Sequence, residues 1–104
     1  MARQIRWLNQ ALRELYYQCQ LVEKRSSDKS ARLEEEAFQA VEILKDFPQL
    51  GKLVPNSETE HRALLIFGRE YWIVYRYGPR TITIAAVIWV RQDFAKAWKS
   101  RKRT

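Results

Sequence analysis

Few side chains in this sequence could break bonds, and they stand apart. His61 is the one histidine and Cys19 the one cysteine. A bound zinc needs three or four ligands at short spacing, and no CxxC or HxxxH pattern occurs. Glu34-Glu35-Glu36 is the densest run of carboxylates, but no histidine or cysteine lies beside it. It reads as the solvated start of a helix, where negative charge suits the positive end of the dipole. The three glycines are isolated punctuators, so no loop is built to cradle phosphate. His61 alone titrates near neutrality, and at a strand start beside Glu60 it reads as a surface residue before it reads as a catalyst. The residues by themselves point to an interaction protein, with no metal and no cofactor expected.

The sequence does place aromatic rings among cations. Trp72, Arg76, Trp89 and Arg91 lie on apolar segments of the C-terminal half, and Trp98, Lys99 and Arg101 follow them. Rings supply contact area and arginines supply directional charge, the mixture a binding surface needs. Charge is divided unevenly. Residues 1–60 hold nine Lys/Arg against ten Asp/Glu, a balance of −1; residues 61–104 hold ten against two, a balance of +8, giving the total of +7. Such a half attracts acidic partners, whether nucleic acid, ribosome or protein.

The elements that must position these residues can be read from periodicity. Gln4-Ile5-Arg6-Trp7 alternates and reads as a short strand. Leu8, Ala11, Leu12, Leu15, Tyr16, Cys19 and Val22 form the stripe of an amphipathic helix. Ser26 to Ser30 is a polar break offering Asp28 or Ser30 as the cap of a second helix. Its stripe is Leu33, Ala37, Ala40, Val41, Leu44 and Phe47, ended by Pro48 and Gly51. Residues 52–60 read as a loop. Strands are expected over His61–Phe67, Glu70–Tyr77 and Arg80–Val90, joined by tight hairpins at Gly68-Arg69 and Gly78-Pro79. A short helix over Asp93–Trp98 and a basic tail over 99–104 complete the chain. The order is β-α-α-β-β-β-α: an α+β domain, a helical hairpin packed on an antiparallel sheet.

The 104 residues, 46% hydrophobic, suffice for one core and one domain over 1–104. The longest apolar run, Ile82–Val90, is far too short to span a bilayer. A lone cysteine and no apolar leader fit the reducing cytoplasm.

Two-residue hairpins would fix the register and hence the faces. With Phe67 opposite Glu70 and Tyr77 opposite Arg80, one face holds Leu64, Ile66, Tyr71, Ile73, Tyr75, Ile82, Ile84, Ala86, Ile88 and Val90, the core beneath the helices. The other holds His61, Ala63, Leu65, Trp72, Val74, Arg76, Thr81, Thr83, Val87, Trp89 and Arg91. This second face is either an open binding surface or is partly covered by the C-terminal helix.

The ordered motifs resemble the RelE/ParE superfamily of bacterial toxins from toxin–antitoxin pairs, over roughly residues 4–98. They are Trp7, Ala11 and Leu15; Leu44-Lys45-Asp46-Phe47-Pro48-Gln49-Leu50-Gly51-Lys52; Tyr71-Trp72-Ile73-Val74-Tyr75-Arg76; and the run from Ile82 through Trp89, Val90, Arg91 and Gln92 to Asp93. The resemblance implies the same helical hairpin on a sheet. It also implies a cognate antitoxin partner, with DNA reached only through that antitoxin and no membrane role. RelE-like members are ribosome-dependent mRNA nucleases; ParE-like members inhibit DNA gyrase. Where the nuclease pattern has two lysines and an arginine, this chain has Ala63, Leu65 and Trp72. Arg91 matches a basic position, Ala97 and Trp98 stand where a tyrosine belongs, and Trp89 replaces a histidine found in a further subgroup.

Attack by a ribose 2′-hydroxyl needs a proton acceptor, a proton donor and charge stabilisation held together. Alanine, leucine and tryptophan supply none of these. The resemblance therefore implies a ParE-like toxin that binds gyrase, with Trp72, Arg76, Trp89, Arg91, Trp98, Lys99 and Arg101 facing target or antitoxin. The alternatives are a ribosome-dependent nuclease with an unconventional set of His61, Arg76 and Arg91, or a homologue that only binds its antitoxin.

Overall fold

A computed structural model describes residues 3–101. The elements are β1 (Gln4–Trp7), α1 (Asn9–Glu23), α2 (Ser27–Leu44), β2 (Lys52–Leu53), β3 (Arg62–Ile66), β4 (Tyr71–Tyr77), β5 (Thr81–Trp89) and α3 (Phe94–Lys99). The helical stripes do what their spacing dictates. Ala11, Leu15 and Cys19 of α1 and Leu33, Ala37, Val41 and Leu44 of α2 are buried in one cluster. The turn between the helices is shorter than the polar break suggests. Ser26 caps α2 by accepting the Lys29 amide at 3.2 Å, so neither Asp28 nor Ser30 is the cap. The Ser30 hydroxyl instead donates to the Cys19 carbonyl at 2.8 Å, tying the first turn of α2 to α1. Because α2 begins this early, Glu34-Glu35-Glu36 fall in mid-helix, away from the dipole's positive end. Phe47 lies beyond the helix and is 62% exposed rather than buried.

The fold class is as expected, α+β with a helical hairpin on a sheet, but the sheet is five-stranded and mixed. Its order is β1-β5-β4-β3-β2, with β1 parallel to β5 and every other pair antiparallel. The segment read as a loop from Lys52 contributes β2, which pairs Lys52 with Ala63 and Leu53 with Arg62.

The first hairpin keeps the expected register, Ile66 facing Tyr71. Its tip is tight, with Phe67, Gly68 and Arg69 all at positive φ; a glycine at its centre relieves the steric cost of that conformation. The second hairpin differs. Tyr77 faces Ile82, not Arg80, a shift of two residues that preserves the faces. A bulge then intervenes, since Tyr75 faces Ile84 while Val74 faces Ala86, leaving Ala85 extra on β5. One inserted residue exchanges the faces of everything beyond it. Val87 therefore joins the core beneath α1 and α2. Ala86 and Ile88, expected there, pack on the opposite face with Val54, Ala63 and Val74. The Ile82–Val90 run is apolar at almost every position, so no alternation marked the bulge.

Candidate functional site

The face opposite the helical hairpin is not open. After β5, the Gln92 side chain accepts the Trp89 amide at 3.1 Å and the Gln92 amide donates to the Trp89 carbonyl at 3.0 Å. The Asp93 carboxylate then caps α3 by accepting the Lys96 amide at 3.2 Å. This reversal lays α3 across the sheet. Phe94, Ala97 and Trp98, together with Trp72 of β4, pack over Val54, Ala63, Val74, Ala86 and Ile88. Trp72 meets Phe94 edge-on at 5.9 Å, and Trp98 meets His61 at 4.9 Å. A roof of large side chains over small ones buries area on both sides, which is why a six-residue helix can stay in place.

The aromatic–basic residues singled out from the sequence are therefore divided. Trp72 lies half-buried under α3, with the Lys52 ammonium 5.8 Å from its ring. Trp89 faces Tyr71, which belongs to the core beneath α1 and α2, so the bulge puts Trp89 on the other side of the sheet from Trp72. It is 36% exposed, with the Arg91 guanidinium 5.8 Å from its ring. Arg76 and Lys99 are exposed and Trp98 is half-buried. Arg101 turns inward instead of joining a solvated tail, its side chain only 9% exposed. It pairs with Glu14, donates to the Ala85 carbonyl, and lies 5.7 Å over the Trp98 ring. Tail residues 102–104 lie outside the described residues.

His61, Arg76 and Arg91 do not converge. His61 precedes the Arg62–Tyr75 pair, so the register sets it beside Arg76. Arg91 follows the other end of β5, beyond the Trp89–Tyr71 pair. The stretch from Tyr71 to Arg76 alone spans roughly 16 Å of strand. His61 is held with Nδ1 2.7 Å from the Thr59 carbonyl and 3.1 Å from the Ser57 hydroxyl. Burial lowers its pKa, the hydrogen bond to the Thr59 carbonyl opposes this, and the charges of Arg76 and Arg101 add to the lowering. Ala63 is buried and Leu65 half-buried opposite Trp72. The positions that are basic in nuclease members are thus apolar and beneath or beside the α3 roof. Among the described residues, no three His, Cys, Asp or Glu side chains group to hold a metal ion, and no helix is long and apolar enough to cross a membrane.

Two arrangements escaped the sequence reading. The Tyr75 hydroxyl donates to the Pro48 carbonyl at 2.7 Å and accepts the Gly51 amide at 2.8 Å, while Arg62 donates to the Gly51 carbonyl at 2.8 Å. These bonds fasten the Phe-Pro-Gln-Leu-Gly loop to the sheet. The other is the Glu14–Arg101 pair. Its one sequence signal is a carboxylate on the flank of α1's stripe, between Ala11 and Gln18.

A comparison with curated proteins finds no match to the chain. Residues 5–94 match the family profile of the ParE toxin of type II toxin–antitoxin system, parDE. That match runs from β1 to the first residue of α3 and takes in all five strands nearly whole, so the chain belongs to the ParE toxin family of type II toxin–antitoxin systems, a family that implies an antitoxin partner.

Proposed function

We propose that this toxin acts in the bacterial cytoplasm by binding DNA gyrase, without nuclease chemistry, and that its cognate antitoxin neutralises it. The observation that carries this reading is the α3 roof. The positions where nuclease members hold basic residues carry Ala63, Leu65 and Trp72, and Phe94 and Trp98 pack with Ala63 and Trp72 in the cluster beneath α3. With His61 and Arg76 at one end of the sheet and Arg91 at the other, the three residues of the nuclease alternative do not meet at one phosphodiester, which supports binding over cleavage. What remains exposed is α3 and its cations, Lys96 and Lys99, with Lys52 and Arg76 on neighbouring strands. A short helix bearing positive charge is suited to dock on an acidic protein surface, where its charge speeds encounter and the packed rings beneath hold it in place.

The test runs two assays on one preparation: supercoiling by DNA gyrase, and primer extension on translated mRNA. Inhibition of supercoiling with intact mRNA supports the proposal. Codon-linked cuts with no effect on gyrase overturn it, and silence in both assays leaves an antitoxin-binding homologue.

A further inference from the structure

β5 has an edge that no strand covers among the described residues. β1 pairs with it only over Thr81–Ile84. The Leu8 amide then donates to the Ile84 carbonyl at 3.0 Å, and the chain departs into α1. From Ala85 to Trp89, β4 lies on one side and the other side has no strand. The bulge sets which groups point outward there, and side chains meet three of them. Arg101 donates to the Ala85 carbonyl, Glu14 Oε1 accepts the Val87 amide at 3.0 Å, and Gln92 Oε1 accepts the Trp89 amide at 3.1 Å. Arg101 and Glu14 are themselves paired. Residues from α1, the β5–α3 turn and the segment after α3 thus stand in for a strand.

An uncovered edge invites pairing with other chains, and proteins normally block it with a lysine, a proline or a packed element. This cover is different in kind. It is a charge pair with Glu14 27% exposed, and each of its hydrogen bonds can be exchanged for an equivalent one from an incoming backbone at small net cost. We infer that the Ala85–Trp89 edge is a gated strand-addition site, closed by Glu14, Gln92 and Arg101 in the free toxin and occupied by an extended acidic segment of the antitoxin. This rests on the reading that an antitoxin binds the chain. Charge selects the occupant. Residues 61–104 carry +8, counted from ten Lys/Arg and two Asp/Glu, and Arg91 and Lys99 are exposed on the segments flanking the edge. A second copy of the toxin carries the same net charge of +7 and is repelled.

Backbone amide exchange followed by NMR on the full-length labelled chain tests this, using the protein encoded by the neighbouring reading frame as probe. In Arg101→Ala the Val87 amide should exchange about tenfold faster, with Ile73 unchanged, because only the local closure is lost. Binding of the probe should slow exchange at Val87 and Trp89 about a hundredfold. Arg101→Ala and Glu14→Gln should each bind it as well as the parent, or up to about tenfold tighter, since the gate no longer has to open; Glu14→Gln keeps the side chain's shape if the alanine variant folds poorly. A complex that leaves Val87 and Trp89 exchange unaltered, or weaker binding in both variants, overturns the inference alone. Failure to form any complex overturns the antitoxin reading and the inference together.

Discussion

Tyr75 holds Gly51 at a separation only glycine allows. A Cβ built on Gly51 would sit 2.9 Å from the Tyr75 hydroxyl, from its ring edge and from the Ala63 carbonyl. Gly51→Ala should therefore destabilise the fold by about 1–3 kcal/mol through overpacking. Tyr75→Phe should cost about 1–3 kcal/mol, because it leaves the Gly51 amide and the Pro48 carbonyl without their partner. The two losses should not add, since both act on one contact. Urea unfolding of the single and double variants measures this, and strict additivity would mean that the loop is anchored elsewhere.

Ile73 is fully buried between the helical hairpin and the sheet. Its truncation to alanine should cost about 2–5 kcal/mol, a large share of the stability of a small domain. A loss below about 1 kcal/mol would mean that Ile73 faces solvent.

Deleting Ala85 should leave a folded protein. Ile84 would be followed directly by Ala86, and plain alternation opposite Tyr75, Val74 and Ile73 keeps Val87 beneath α1 and α2 and Ala86 and Ile88 beneath α3. Deleting Val87 should instead abolish folding, because every residue after it would exchange faces. Circular dichroism on both deletions decides the matter, and an unfolded Ala85 deletion would show that the bend of the bulge is itself required.

His61 gives a pH dependence of definite sign. Its folded pKa lies below the ordinary 6.5, chiefly through burial. Above 6.5 neither state is protonated and the group contributes nothing to the pH dependence. Below it the unfolded chain takes up a proton that the folded chain refuses, so stability falls until the depressed pKa is reached. Glu14 has the opposite sign. Burial lifts it above 4.5, the Val87 amide and Arg101 offsetting only part, so stability falls as pH rises through that window. His61→Asn should flatten the loss of stability between pH 7 and pH 5 that the parent shows in urea titrations. An unchanged profile would assign the loss to other groups.

If α3 carries the toxin's grip on gyrase, Lys96→Ala and Lys99→Ala should weaken supercoiling inhibition and reduce its sensitivity to salt. Both side chains are exposed, so melting temperatures should not move. Trp98→Ala should weaken inhibition more, with a parallel loss of stability, because Trp98 also roofs His61. Equal inhibition by all three variants would place the contact elsewhere.

Most of the architecture was legible because period-3.6 stripes mark α1 and α2, while alternation and turn residues mark β3 and β4. Three features were not. The bulge lies in a run buried on both faces, where alternation disappears. The parallel pairing of β1 with β5 depends on residues far apart in the chain, about which local pattern says nothing. The roof formed by α3 follows from its N-cap and the Gln92 turn, neither of which states a direction. The candidate site suffered accordingly: Trp72 and Trp89, read as neighbours on one face, lie on opposite sides. Glu14 and Arg101 were hidden because a helix flank and a chain terminus reveal no shared strand edge.

The pairing of β1 with β5 also sets when the toxin can exist at all. Gln4 finds its partner only at Thr81, so the strand made first waits for the one made last, and closing so long a loop is slow as well as late. During synthesis, α1 and α2 are made before the sheet that covers their apolar stripes. Until β5 follows, β1 has no partner and the buried cluster lacks Ile82, Ile84 and Val87, so a chain short of β5 cannot close the fold.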